Sequence, residues 1–147
     1  MNEQTILLAE DSEDAVILLK LACKKSRLRN PMHVVADGEE AIQYLSGEGE
    51  FKHRNRFPLP SLLLLDLKMP KVDGFEVLSW LRARPGINRL PVVVLTSSSD
   101  PGDIARAYEL GASSYLVKPI GFDDLVELLN RLEGWWMGVN QAPELND

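Results

Sequence analysis

The chain has 147 residues, of which 45% are hydrophobic and 26% charged, the composition of one ordinary soluble domain with a real core. Its formal net charge of −6 argues against nucleic acid as the main partner, because phosphate backbones select basic surfaces. A single cysteine, Cys23, excludes an internal disulfide. No basic, apolar leader opens the chain, and no apolar run reaches the ~20 residues of a membrane span. The expected location is the cytoplasm, with no membrane partner.

Thr5-Ile6-Leu7-Leu8-Ala9 reads as a buried strand ending at Glu10-Asp11-Ser12. Val16, Leu19 and Cys23 then recur at helical spacing until Asn30-Pro31. His33-Val34-Val35 is a second strand. Asp37 with Glu40 three residues on is a capping signature opening a helix through Ala41, Ile42 and Leu45. Residues 46–60 are mostly polar and carry two glycines and two prolines, which predicts a long loop. Within it, Lys52-His53-Arg54-Asn55-Arg56 reads as a solvated face.

Leu62-Leu63-Leu64-Leu65 is the most buried-looking strand and stops at Asp66. Pro70 and Asp73-Gly74 mark a turn, and Phe75, Val77, Leu78 and Leu81 form the apolar face of the next helix. Val92-Val93-Val94-Leu95 is a fourth strand ending at Thr96. Asp100-Pro101 opens a helix that stops near Gly111. Residues 114–117 form the fifth strand, followed by Lys118. A last helix begins at Phe122, with Leu125, Leu129 and Leu132 on one face. Continuous apolar strands alternating with helices predict a parallel sheet covered on both sides.

The chemistry-bearing residues sit where the apolar strands stop. An open α/β sheet binds ligands at the carboxyl ends of its strands, so Glu10, Asp11, Asp66, Thr96 and Lys118 should converge on one rim. Carboxylates crowded together either protonate or hold a cation. Oxygen ligands with room for water suit Mg²⁺. Lys118 and the Thr96 hydroxyl can meet the oxygens of a phosphoryl group.

Glu10-Asp11, Asp66 with Met69-Pro70 and Asp73-Gly74, Thr96, Tyr115 and Lys118-Pro119, in that order, resemble the receiver domain of two-component response regulators. The resemblance spans residues 5–132. It implies a flavodoxin-like (βα)5 fold with strand order 2-1-3-4-5 over residues 1–132. It implies that Asp66 takes a phosphoryl group from a histidine kinase phosphohistidine. Mg²⁺ would be held by Glu10, Asp11, Asp66 and the backbone carbonyl of Lys68, with Glu10 either on the metal or on its water. Thr96, Ser97 and Lys118 would contact the phosphoryl oxygens, Thr96 and Tyr115 would form a switch pair, and Lys118–Pro119 would be a cis peptide.

The resemblance also implies a regulator acting through protein contacts rather than an enzyme. Its expected partners are the kinase and, downstream, a phosphotransfer protein. The long 46–60 loop and the Trp-rich end resemble single-domain regulators of bacterial phytochrome kinases. On that likeness residues 133–147 form an extension in which Trp135 or Trp136 contributes to a homodimer, and the segment from Asn140 to Asp147 is a frayed end. Lys68, two residues after the acceptor, is placed to lie over the pocket and alter phosphate lifetime. An unchanged dephosphorylation rate in Lys68→Ala would remove that role.

Other readings fit less well. A nucleotide hydrolase would need a GxxxxGK[ST] loop, which is missing. Phosphatases with an Asp nucleophile need a second Asp two residues on, where this chain has Lys68. A degenerate receiver would lack one of Asp11, Asp66, Thr96 or Lys118. His33, His53 and Cys23 have no zinc-site spacing.

Overall fold

The computed structural model describes residues 4–137 and 141–147. Five parallel strands, β1 (Ile6–Ala9), β2 (Met32–Val35), β3 (Leu62–Leu65), β4 (Val92–Thr96) and β5 (Ser114–Val117), lie in the order β2-β1-β3-β4-β5. Five helices alternate with them: α1 (Glu13–Lys25), α2 (Gly38–Ser46), α3 (Gly74–Arg82), α4 (Pro101–Glu109) and α5 (Phe122–Leu132). The flavodoxin-like expectation is met in element order and in sheet order.

Alternation along the strands builds two apolar layers. Leu7, Leu63, Leu65, Val92 and Val94 face a cluster with Ala41, Leu45, Val77, Leu78 and Leu81 of α2 and α3. Ile6, Leu8, Leu62, Leu64, Val93 and Leu95 face Leu19, Ala22, Leu125, Leu129 and Leu132 of α1 and α5. A strand buried on both faces needs apolar residues at every position, which is why β3 is four leucines.

The start of α2 follows its capping signature, and two other helices open on short side chains in the same way. Ser12 accepts from the Ala15 amide, Asp37 from Glu40 and Asp73 from Glu76. Asp100 makes no such bond, and α4 instead begins on the preset backbone of Pro101.

Two regions correct the sequence reading. The 46–60 segment is not a bare loop. It carries a 3₁₀ turn, Gly49–Lys52, and seats Phe51 and Phe57 against Tyr44 and His33. Four scattered aromatic residues form a small core without making any period along the chain. Arg54 is no solvated charge either. Its Nη1 donates to the Tyr44 and Phe57 carbonyls and its Nη2 to that of Leu45, which finishes the end of α2. The described part of the last segment, residues 141–147, is docked rather than frayed: Asn146 N donates to Gly86 O, and Asp147 pairs with Arg54. After α5 a π-helical turn, Glu133–Met137, buries Trp136 in the α1/α5 layer at 7% exposure and leaves Trp135 60% exposed.

Candidate functional site

The parallel strands end together, and backbone hydrogen bonds fix how their exits are spaced. Glu10 N donates to Val35 O, Asp66 N to Ala9 O, and Lys118 N to Thr96 O. Five residues that sequence places 10 to 118 are thereby drawn to one rim. Glu10 and Asp66 are 4% and 8% exposed, and Asp11 beside them is open to solvent. Ligand oxygens of Glu10, Asp11 and Asp66 all lie within 4.8 Å of one another. The loop after Asp66 folds back tightly at Gly74. A Cβ there would stand 2.3 Å from the Asp66 carbonyl oxygen, so only glycine allows the approach.

Lys118 reaches into this acidic cluster. Its Nζ donates to Glu10 and, at 3.2 Å, to Asp66 Oδ2. Burial alone would lower the Lys118 pKa; the hydrogen bond to Glu10 and the charges of Asp66 and Glu10 outweigh it, and the ammonium is held above its usual range. Glu10 is also raised, but by the opposite balance of causes. Burial pushes its carboxyl up and the neighbouring Asp66 adds to that, although Lys118 opposes both. Pairing prevails at the more accessible lysine and desolvation at the deeper glutamate. One ammonium serves two carboxylates, and a further cation is electrostatically favoured.

Thr96 supplies the other telling feature. Its Oγ1 is the one buried side-chain polar atom among the described residues without a hydrogen-bond partner. An orphaned hydroxyl of this kind costs about 1–3 kcal/mol and marks a place made for an acceptor atom. Tyr115 lies behind it on β5. Its hydroxyl donates to Ser98 O at 2.9 Å, and Ser98 Oγ in turn meets Asp103 Oδ2 at 2.7 Å. Burial raises the Tyr115 pKa, which keeps the phenol a donor.

Most residues singled out in sequence therefore meet at the rim. Ser97 follows Thr96 and is exposed, and Lys68 is exposed with its amide 3.5 Å from Asp66 Oδ1. One expectation is corrected: Lys118–Pro119 is trans, since no described peptide is cis. The two isomers of a prolyl bond differ by only about 0.5–1 kcal/mol, and here the trans form already carries Lys118 to both carboxylates. Ser98 and Asp103 were missed. Ser98 lies in a Ser-rich loop, where sequence offers no way to tell which hydroxyl has a fixed partner, and Asp103 in the first turn of α4.

The chain matches the Response regulator receiver domain model over residues 6–130. It belongs to the response-regulator receiver family. It is 37% identical over 140 residues to Response regulator Rcp1 of Synechocystis sp. (strain PCC 6803), covering 95% of this chain and 93% of that one. The structure of the Mn²⁺-bound form of Rcp1 superposes with a TM-score of 0.84 at 36% identity, covering 95% of this chain and 99% of that one. The phosphorylated cyanobacterial phytochrome response regulator RcpA superposes with a TM-score of 0.88 at 34% identity, covering 97% and 100%. The receiver is thus homologous to phytochrome response regulators, and its Glu10, Asp11 and Asp66 cluster suits a divalent metal. Among the described residues no helix is long and apolar enough to cross a membrane.

Proposed function

We propose that this receiver accepts a phosphoryl group on Asp66 from the phosphohistidine of a histidine kinase. The arrangement of Lys118 3.2 Å from Asp66 Oδ2, with the unpartnered Thr96 hydroxyl at the end of the adjacent strand, carries the reading. An Asp66 carboxylate oxygen attacks phosphorus, an O–P bond forms, the N–P bond breaks, and the imidazole departs with its electron pair. Lys118 and Thr96, with Ser97 beside it, donate to the phosphoryl oxygens and hold them as charge shifts.

Mg²⁺ is the cation proposed for Glu10, Asp11, Asp66 and the Lys68 carbonyl. When bound it offsets charge on the phosphoryl oxygens. Thr96 turning toward that group would let Tyr115, Ser98 and the start of α4 at Asp103 settle into one arrangement, because the phosphoryl group binds that arrangement better. The protein is a phosphoacceptor, not an enzyme acting on free substrate. It works in the cytoplasm with a phytochrome-type kinase and a downstream phosphotransfer protein. Exposed Ile17, Leu18 and Leu21 of α1, whose first turn adjoins Asp11, offer the donor apolar surface beside the acceptor. Exposed Trp135 is the proposed homodimer anchor.

The test is transfer of labelled phosphate from an autophosphorylated histidine kinase. Label should move to the wild-type receiver only with Mg²⁺ and not to Asp66→Asn. Transfer to Asp66→Asn at the wild-type rate would refute the assignment.

A further inference from the structure

The helices of this fold run back against the strands, so the end of α2 and the loop between α3 and β4 lie at the opposite end of the sheet from Asp66. Three consecutive residues of the last segment dock there by three different chemistries. Leu145 packs on the α2/α3 core layer. Asn146 N donates to Gly86 O at 2.8 Å. Asp147 takes the outer fork of Arg54, with Nη2 to Oδ1 at 2.7 Å and Nε to Oδ2 at 3.0 Å.

The receiving surface is built for this. The inner side of the Arg54 guanidinium is already fixed on the Tyr44, Leu45 and Phe57 carbonyls, so its outer edge is preorganised for a carboxylate. Gly86 has φ +90°, and a Cβ there would stand 2.5 Å from Asn146 O. A cavity of about 240 Å³ beside the fork is lined by Lys52 and Arg84 as well, which favours an anion.

We propose that this is a recognition site for an extended Leu-x-Asp segment, and that residues 145–147 fill it within the same chain as a detachable strap ordering residues 47–57. The contacts are an apolar anchor, one main-chain hydrogen bond and a half-exposed ion pair, so docking is weak enough to release and sensitive to salt. Released, the preset Arg54 fork is open to an acidic segment of the same pattern. The site shares no residue with the phosphoacceptor rim.

Amide hydrogen exchange on the full chain tests this. Leu145→Ala and Asp147→Ala should each speed exchange in residues 47–57 several-fold at low salt. Their phosphorylation should stay unchanged. A peptide with the sequence of residues 141–147, added to the Leu145→Ala/Asp147→Ala double variant, should restore protection. The same peptide with Asn in place of its last Asp should not. Unaltered exchange in both variants, or no rescue by the peptide, overturns the proposal. Wild-type protection that rises with protein concentration would put the strap on a second copy and overturn the intramolecular assignment.

Discussion

Lys118→Met should tighten divalent-cation binding while weakening the metal-free fold. The Lys118 ammonium lies 3.2 Å from Asp66 Oδ2 and is hydrogen-bonded to Glu10, so it already neutralises the oxygens a metal would use. At that separation a unit charge pair is worth about 5 kcal/mol at an effective dielectric near 20 and about 1.3 kcal/mol in water. The lysine side chain is one-quarter exposed, which pulls the net effect toward the lower figure. A loss of competition near 1.4 kcal/mol corresponds to roughly tenfold tighter binding. Without metal, Glu10 and Asp66 face each other uncompensated, and the variant should melt below wild type. Calorimetric titration with Mg²⁺ gives the affinity. Thermal melts with and without the ion give the second half, since ligand stabilisation grows with occupancy. Mg²⁺ binding that is unchanged or weaker in Lys118→Met would refute the argument that the lysine and the metal share these oxygens.

Thr96→Val should stabilise the unphosphorylated protein by about 1 kcal/mol, because it removes a buried hydroxyl that has no partner, and should slow phosphotransfer; a lower melting temperature would count against the orphaned-hydroxyl reading. Arg82 donates to the carbonyls of Gly111, Asn88 and Leu90, so Arg82→Ala should cost roughly 3 kcal/mol or more in denaturant unfolding as buried acceptors lose their donor. Tyr44 predicts an alkaline effect: burial pushes its phenol up to about 12, with the Arg54 charge opposing. The folded state then holds that proton more tightly than the unfolded one. The contribution is complete below about pH 10 and fades by roughly 3 kcal/mol as pH rises toward 12. Unfolding free energies of wild type and Tyr44→Phe across that window should converge as pH rises, and parallel curves would contradict the shift.

The rim was legible because its signals are local. Glu10, Asp66 and Lys118 follow directly on an apolar strand and Thr96 is the last residue of one, and the parallel sheet does the rest. The cap at Asp37 was readable for the same reason, a short side chain bonding an amide three residues on, and Ser12 and Asp73 cap their helices in the same way. What escaped depends on distance in sequence. Arg54 pairs with Asp147, and its neighbours along the chain are polar residues of no distinct pattern. Phe51 and Phe57 find Tyr44 and His33 through a turn whose shape no periodicity encodes. The sequence left open which of Trp135 and Trp136 faces outward, and a π-helical turn turns Trp136 inward and Trp135 outward. The isomer of Lys118–Pro119 rests on a balance too fine for sequence to settle.

The central claim is that Asp66 carries the phosphoryl group. The protein would be treated with acetyl phosphate and Mg²⁺, quenched, and reduced with borohydride, which converts an acyl phosphate to an alcohol at the modified carbon. Peptide mapping should then find the reduced residue at position 66 alone, with none in Asp66→Asn. Reduction at Glu10, Asp11 or another carboxylate, with Asp66 intact, would contradict the account.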